Sequence, residues 1–177
     1  MLFRSGVTGA PALTTTAIAA PSTSLSNVGQ YPINIALGTL SSINYDFAFT
    51  GGRLTINPAT LAVKADNLSK LYGSANPALT YTYTGFASGQ TLASSDVRNA
   101  PAISTTALLE SPVTTYPISI SQGALTSANY SFMFTDGVLT ITKAPLQVVA
   151  DNKTREYGEP NPDFTYKISG FVLNQEI

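Results

Sequence analysis

The chain lacks the residues on which most catalytic and metal sites depend. Among its 177 residues there is no cysteine and no histidine. Without cysteine, the chain can form no disulfide, no thiolate nucleophile and no cysteine-ligated zinc site. Without histidine, it lacks the commonest general base and a common metal ligand. We therefore predict no cofactor, and no catalytic, cofactor-binding or metal-binding residues.

Charge and long apolar runs are also scarce. Only 11% of residues are charged, against roughly 25% in an ordinary soluble domain, and the net charge is -1. The 9 basic residues are scattered, so no patch can neutralise several phosphates, and nucleic acid is not a predicted partner. No apolar run approaches the roughly 18 residues of a membrane-spanning helix, so no membrane insertion of this chain is predicted.

Hydroxyl side chains supply the polarity that charge does not. The chain has 18 serines and 23 threonines, and 44% of its residues are apolar. Threonine, tyrosine, valine and isoleucine fit the pleated, half-buried surface of a sheet. The composition therefore favours β structure.

One long segment of the chain occurs twice. "YGSANPALTYTYTGF" begins at Tyr72 and returns at Tyr157 as "YGEPNPDFTYKISGF". A shift of 85 positions aligns residues 31–86 with 116–171 without a gap, and 30 of these 56 positions are identical. A repeat of this length is too long for a solenoid unit and suits a small β domain arranged in tandem.

Prolines mark the boundaries between repeats. They interrupt strand-like runs in the joints "NPAT" (57–60) and "TKAP" (142–145). This predicts one complete repeat at 58–142, hereafter the central repeat. It is preceded by the C-terminal part of another repeat at 6–57 (the N-terminal segment) and followed by the N-terminal part of a third at 143–177 (the C-terminal segment).

The first five residues are excluded from this scheme. "MLFRS" is what a reading frame through CTC TTC CGA TCT encodes after ATG, and that string resembles the end of a sequencing adaptor. Residues 1–5 are therefore interpreted as a non-native artefact on a gene fragment.

Alternating apolar residues predict the strands. "LAVKA" (61–65) and "LTYTYTG" (79–85) alternate with a period of two, and the second copy keeps the apolar face while admitting Lys167 on the other. Further strands are predicted from "YPISI", "NYSFMF" and "VLTI", and "ASSDV" (93–97) is predicted to form one helical turn capped by Ser94 or Ser95. The Asp-Gly of "TDG" predicts a hairpin between the last two strands, and Gly51-Gly52 is its equivalent.

About six short strands in 85 residues predict an all-β fold of tandem small antiparallel β-sandwich domains with an immunoglobulin-like topology. Gly29-x-Tyr31 at a strand start resembles the tyrosine corner of that fold, although Tyr116 lacks the glycine. A β-grasp-like sheet with one short helix is the alternative.

The combined pattern resembles a known family. "YG…NP…TYT…GF", followed by "YPISI", "NYSFMFTDGVLTIT" and "LQVVADN", resembles the MBG (mostly β, glycine-rich) domain repeats, and in particular their YGX type. The resemblance covers nearly everything from Gly9 to Ile177. Five extra residues after Ala17 are its main departure.

The resemblance implies a location and a role. MBG repeats occur in large bacterial surface proteins, including filamentous-haemagglutinin-like adhesins, so it implies an extracellular or bacterial cell-surface protein. It implies a stalk or spacer module whose partners are neighbouring repeats, and it implies no catalytic residues. The alternative is that the repeats themselves bind host glycans or host proteins.

The recurrent Tyr72-Gly73 and Asn76-Pro77 have two interpretations. The favoured one is a wide turn, with glycine in a left-handed conformation and Asn-Pro starting the next strand. The other is an exposed aromatic loop that stacks on sugar rings.

The recurrent acidic residues also have two interpretations. Asp66-Asn67 and Asp151-Asn152, near Asp163, carry oxygens that suit Ca²⁺, but one acidic residue per site favours turn chemistry. The other acidic candidates form no repeated pair and sit in no nucleophile motif, so no enzymatic activity is predicted. They are Asp96, Glu110 and Asp136.

Two further expectations follow from the repeat. Joints of about four residues predict that consecutive domains stand end to end as a semi-rigid rod. The N-terminal and C-terminal segments each hold strands whose partners belong to another repeat, so both are predicted to present open sheet edges. Pairing of these edges between molecules predicts head-to-tail self-association.

Overall fold

The protein is all-β in a computed structural model that describes residues 6–22 and 25–176. This part of the chain contains twelve short strands in several small sheets, as expected for β-sandwich domains, and one helical element, the three-residue 3-10 turn Ala87–Gly89. Residues 1–5 lie outside the described residues. The strands are β1 (Ala12–Thr15), β2 (Gly29–Ala36), β3 (Gly52–Ile56), β4 (Ala59–Ala65), β5 (Leu68–Leu71), β6 (Tyr81–Thr84), β7 (Ala102–Thr105), β8 (Thr115–Ser121), β9 (Tyr130–Thr135), β10 (Gly137–Thr142), β11 (Gln147–Ala150) and β12 (Tyr166–Ser169).

The arrangement of the strands repeats along the chain. In the central repeat, one sheet has the order β5-β10-β8-β7 and the other has the order β6-β4-β9. The N-terminal segment forms a sheet in the order β1-β2-β3, which reproduces β7-β8-β10. The C-terminal segment forms the pair β11-β12, which reproduces β4-β6. Each terminal segment therefore contains one part of the same repeated architecture.

The chain divides into two compact units, and each contains one of the two proline-marked joints. The first unit combines the chain up to Ala62 with Tyr83–Ala100 and Ala124–Met133. The second combines Val63–Thr82, Pro101–Gly123 and the chain from Phe134 onward.

The buried apolar side chains of the described residues all belong to the central repeat. In the first unit they are Leu61, Val97, Leu125 and Tyr130. In the second unit they are Val63, Ala65, Ala107, Ile118, Ile120, Leu139 and Ile141. Within β4 and β8, the buried residues alternate with more exposed ones and so share one face of the strand, as the period of two predicts.

The predicted Asp-Gly hairpin is wrong. β9 and β10 belong to different sheets, and neither Gly137 nor Gly52 has a positive φ. Gly137 is needed for close packing instead, since a Cβ there would lie 2.7 Å from the backbone oxygen of Asp66. The carboxylate of Asp136, between β9 and β10, accepts a hydrogen bond from the backbone N–H of Ile120 at 2.8 Å. This bond ties the connection between the two sheets to β8.

The sheets are not purely antiparallel. β5 pairs with β10 in parallel, with Leu68 opposite Leu139 and Lys70 opposite Ile141. The other strand pairs whose direction is defined are antiparallel. Periodicity could not predict this pair, because it identifies the faces of a strand and not the direction of its neighbour.

Residues 93–97 lie in a region of turns and bends. The backbone N–H of Ser95 donates to the oxygen of Thr91 at 2.9 Å, and the hydroxyl oxygen of Ser94 accepts from the N–H of Thr91 at 2.8 Å. Within residues 6–22 and 25–176, the only candidate for the short helix of the β-grasp alternative is the 3-10 turn.

Both copies form the tyrosine corner. The hydroxyl of Tyr31 donates to the backbone oxygen of Asn27 at 2.8 Å, and that of Tyr116 donates to Pro112 at 3.3 Å. The bond spans four residues in each copy, so the glycine missing before Tyr116 is not required. This feature supports the immunoglobulin-like topology.

Candidate functional site at the joints between repeats

The first joint is short and lies beside a cleft. β3 of the N-terminal segment ends at Ile56 and β4 of the central repeat begins at Ala59, so only two residues separate these strands. The cleft has a volume of about 120 Å³, and both parts of the chain line it. The lining includes Asn27, Val28, Ala87, Gln90, Asn129 and Tyr130.

Asn129 bonds across this joint with both ends of its side chain. Its Oδ1 accepts from the backbone N–H of Val28 at 2.8 Å, and its Nδ2 donates to Oδ1 of Asn27 at 3.0 Å. Its backbone oxygen accepts from the N–H of Ala59 at 3.0 Å. One residue of the central repeat therefore fixes the segment before it and the first residue of β4.

Asp96 holds the loop that carries Asn129. Its carboxylate accepts hydrogen bonds from Ser127 Oγ at 2.7 Å, from the N–H of Ala128 at 2.7 Å and from the N–H of Asn129 at 3.1 Å. Burial raises the pKa of Asp96, but the hydrogen bonds from Ser127, Ala128 and Asn129 together outweigh it and leave the pKa below its ordinary value. The ionised carboxylate is thus the form that positions Asn129.

The second joint also lies beside a cleft. β10 ends at Thr142 and β11 begins at Gln147. The cleft has a volume of about 280 Å³ and is lined by both the central repeat and the C-terminal segment. Nε2 of Gln175 donates to the hydroxyl of Tyr72 at 2.9 Å. The side chain of Val172 is so close to Gly73 that a Cβ on this glycine would lie 2.5 Å from it.

The two joints use the same turn. "ASGQ" ends at Gln90 and "VLNQ" ends at Gln175, 85 positions apart. The two middle residues are left-handed in both turns, with φ of 47° and 71° before Gln90 and 59° and 56° before Gln175. The backbone N–H of each glutamine closes the turn on the residue three positions earlier, at 2.9 Å and 3.2 Å.

These glutamines were not among the residues singled out from the sequence. The gap-free alignment ended at Phe171, and only the glutamine is identical in the next five positions. A single identical polar residue is a weak signal. The left-handed backbone that places both side chains in a cleft is visible only in the structure.

The glutamine amide does something different at each joint. Oε1 of Gln90 accepts from the hydroxyl of Tyr130 at 2.5 Å, within one repeat. Nε2 of Gln175 donates to Tyr72, in the repeat before it. An amide has an acceptor and a donor at opposite ends, so one such glutamine can bond to both tyrosines. What the side chains at the two joints can do chemically is form hydrogen bonds between successive parts of the repeat array.

Tyr72 and Gly73 have the structural role that the turn interpretation gave them. Tyr72 is half-buried at the second joint, and Gly73 is left-handed with a φ of 77°. Nδ2 of Asn76 donates to the backbone oxygen of Ala107 at 2.6 Å and ties the turn to the sheet. The equivalent Tyr157 is fully exposed.

The structure also favours turn chemistry at the two Asp-Asn pairs. Oδ2 of Asp66 accepts from Thr80 Oγ1 at 2.6 Å, and Asp151 accepts from Thr165 in the same way and at the same distance. Oδ1 of Asn67 accepts from the N–H of Val138 at 2.9 Å. These oxygens tie the residues that follow β4 and β11 to the ends of neighbouring strands. Within residues 6–22 and 25–176, no three acidic side chains cluster as metal ligands would.

Comparison with known proteins identifies a family. The model of the MBG domain (YGX type) family matches residues 61–140 and 146–177. No curated protein and no solved structure matches the chain. The described residues contain no helix with the length and apolar character needed to span a membrane.

Proposed function

This chain belongs to the MBG domain (YGX type) family, and we propose that it is a run of spacer repeats from a bacterial cell-surface or secreted adhesin. Membership of this family is consistent with a repeat module of a surface protein. The finer role, a stalk that carries a binding region away from the cell, is argued from the joints.

The observation that carries the proposal is that side-chain hydrogen bonds cross both joints. Each brings a glutamine on the same left-handed turn into a cleft, and each has side-chain hydrogen bonds between successive parts of the repeat array. A flexible tether would need none of these contacts. Side chains that fix one repeat against the next suit a protein in which direction must be kept along the array.

The mechanism is mechanical. Because each joint is short and bonded on both sides, adding a repeat adds a fixed increment of length instead of a random-coil increment. The few charged residues and the hydroxyl-rich composition suit a structural element.

Small-angle scattering tests the spacer role. One or two further copies of residues 58–142 are inserted after Thr142, and the maximum dimension is compared with that of the original chain. We expect a constant increase for each copy. An increase that falls off with copy number, as in a compact or freely jointed array, would contradict the proposal.

The alternative is recognition of host glycans or host proteins by the Thr/Tyr-rich faces. Tyr72, its best aromatic candidate, is engaged by Gln175 at the joint. A glycan array probed with the intact chain separates the two functions, because a spacer gives no signal. Binding that is lost in Tyr72→Ala with folding intact would support recognition.

A further inference from the structure

One turn of the repeat has the same short motif in both copies. The sequence "NLS" at 67–69 returns 85 positions later as "NKT" at 152–154. The asparagine and a hydroxyl residue two positions after it are kept, whereas the residue between them changes from leucine to lysine. Asparagine followed in this way by serine or threonine is the acceptor motif for N-linked glycosylation. Both copies of this turn therefore contain an acceptor motif.

The chain has one more such motif, and that one is not repeated. It is "NYS" at 129–131, and the equivalent residues 44–46 are "NYD". Because serine and threonine make up 41 of the 177 residues, an isolated match is expected from composition alone. The repeated motif and the isolated motif can therefore be compared within one chain.

Asn67 lies in an exposed turn whose backbone and amide oxygen are both held. The turn joins β4 to β5, and Asn67 and Ser69 are exposed. Next to it, Asp66 bonds to Thr80 twice, through its backbone N–H at 2.9 Å and through Oδ2 at 2.6 Å. Oδ1 of Asn67 accepts from the backbone N–H of Val138 at 2.9 Å. Within residues 6–22 and 25–176, its Nδ2 has no acceptor, so the nitrogen that a sugar would join is accessible.

Asn129 is closed to the same chemistry. Its Nδ2 donates to Oδ1 of Asn27 at 3.0 Å, and its Oδ1 accepts from the backbone N–H of Val28 at 2.8 Å. The side chain is half-buried, and the next residue, Tyr130, is 5% exposed. A sugar on this nitrogen would displace Asn27 at the first joint. The fold thus exposes the motif that the copies share and covers the motif that they do not share.

We propose that Asn67 and its equivalent Asn152 accept an N-linked glycan, so that the sugar stands on the same turn in successive repeats. The donor is a sugar diphosphate whose carrier is a nucleoside or a lipid. The bond from the sugar C1 to the diphosphate oxygen breaks, and the diphosphate leaves with its electron pair. C1 then forms a bond to Nδ2, which gives up one proton. Oδ1 takes no part, so the glycosylated Asn67 still accepts from Val138.

A glycan on this turn would protect the strand beside it. Among the described strands, β5 pairs with β10 alone and so lies at the edge of its sheet. An unprotected edge can pair with another chain, and a bulky, hydrated group next to it hinders that pairing. Only 11% of the residues are charged, so a glycan would also supply solvation that charge does not. This inference does not depend on the spacer function, because it uses the turn and not the joints.

Glycosylation of the folded chain in vitro tests the proposal. The purified chain is incubated in one arm with a soluble asparagine glycosyltransferase and a nucleoside-diphosphate hexose. In the other arm it is incubated with an oligosaccharyltransferase and a lipid-diphosphate oligosaccharide. Each enzyme is chosen because it modifies synthetic peptides of all three motifs, so its own sequence preference cannot hide a site. Peptide mapping by mass spectrometry then measures the occupancy of each asparagine over time.

We expect Asn67 to be modified at least about tenfold faster than Asn129 in the folded chain, because Asn129 is accessible only when the joint opens. Modification in one arm alone supports the proposal and identifies the carrier of the sugar. Equal rates at Asn67 and Asn129 overturn it, and so does an Asn67 that is unmodified in both arms. An unmodified Asn152 overturns the extension to the second copy.

Ser69→Ala and Ser131→Ala are a matched pair of variants, because each removes the hydroxyl of one motif from an exposed position. Ser69→Ala should abolish the modification of Asn67, and Ser131→Ala should leave it unchanged. Equal loss in the two variants overturns the proposal, because the motif at Asn67 is then not what the enzyme reads. Light scattering of the glycosylated chain and of Ser69→Ala treated in the same way compares their aggregation, and equal aggregation overturns the protection of β5.

Discussion

A glycine can be required at a position in one copy of the repeat and not at the equivalent position in another copy. Gly137 and Gly52 occupy equivalent positions, but only Gly137 lies against another backbone. At Gly52 the nearest atom to an added Cβ would be the side chain of Ile33, at 3.7 Å, which is ordinary contact. Repetition in the sequence therefore does not imply an equal contribution to stability.

Gly137→Ala should lower the free energy of unfolding by about 2–3 kcal/mol, because the backbone of Ala65 and Asp66 must move to admit the methyl group. Gly52→Ala is the matched control and should change it by less than about 0.5 kcal/mol. Urea denaturation of both variants at a concentration too low for association measures the difference. Equal losses would show that the glycine is needed for something other than close packing.

Asp96→Asn should destabilise the protein at neutral pH by about 1–2 kcal/mol, because the neutral amide cannot replace the charged acceptor of three hydrogen bonds. The pKa of Asp96 is lowered in the folded protein, so its stabilisation is present above the unfolded pKa of about 3.9 and is lost as the pH falls through the folded pKa.

Urea denaturation between pH 7 and pH 3 checks this pH dependence. The difference between the original chain and Asp96→Asn should narrow below about pH 4. Asp163→Asn, at an exposed position, is the control. A difference that is independent of pH would mean that Asp96 acts through its shape and not through its charge.

At the scale of elements, a strand forms only where its partner strand is present. Residues 45–50 share most of their sequence with β9, and residues 153–156 are aligned with β5, yet neither range is a strand. In contrast, β1-β2-β3 and β11-β12 form because the segments contain both members of each pair. Strand propensity is a preference for a half-buried sheet surface, so it cannot produce a strand without a neighbour.

β5 is anchored by a buried lysine. Nζ of Lys70 donates to the backbone oxygens of Ser74 at 3.0 Å and Leu108 at 2.6 Å. Lys70→Met should cost about 2–3 kcal/mol, because two hydrogen bonds to a charged donor are lost. Lys64→Met, at an exposed position of β4, should be nearly neutral.

Thermal and urea denaturation of these two variants compare their stability. If Lys70→Met were as stable as Lys64→Met, the anchoring of β5 by its lysine would be refuted.

Arg155 is the equivalent residue in the C-terminal segment, and it already donates to the backbone oxygen four positions later, at 2.8 Å. The local part of this anchor is therefore present in the C-terminal segment as well.

At the scale of the whole molecule, the joints determine whether successive repeats move independently of one another. Tyr72→Phe keeps the ring at the second joint but removes the hydroxyl to which Gln175 donates. We expect amide exchange in the turn Val172–Gln175 to rise about fivefold, as the loss of about 1 kcal/mol predicts.

Tyr157→Phe is the control for this experiment, because Tyr157 is fully exposed. Hydrogen exchange measured by mass spectrometry compares the two variants with the original chain. Unchanged exchange in Tyr72→Phe would mean that the bond between Gln175 and Tyr72 contributes nothing to the order of the joint.

The sequence by itself determined the repeat, the positions of most strands, the family and the all-β class. The alternation of apolar residues and the 85-residue repeat are both recognised from side-chain type alone, and that is local information. The tyrosine corner was also found this way, from Tyr31 and its place at a strand start.

Only the tertiary structure decided which strands meet. It put β9 and β10 in different sheets and paired β5 with β10 in parallel, because those choices depend on contacts between distant residues. It also brought Gln90 and Gln175 into the joints, through a left-handed backbone that no apolar periodicity signals. Side-chain pattern specifies the faces of a strand, whereas its neighbours are specified by packing over the whole repeat.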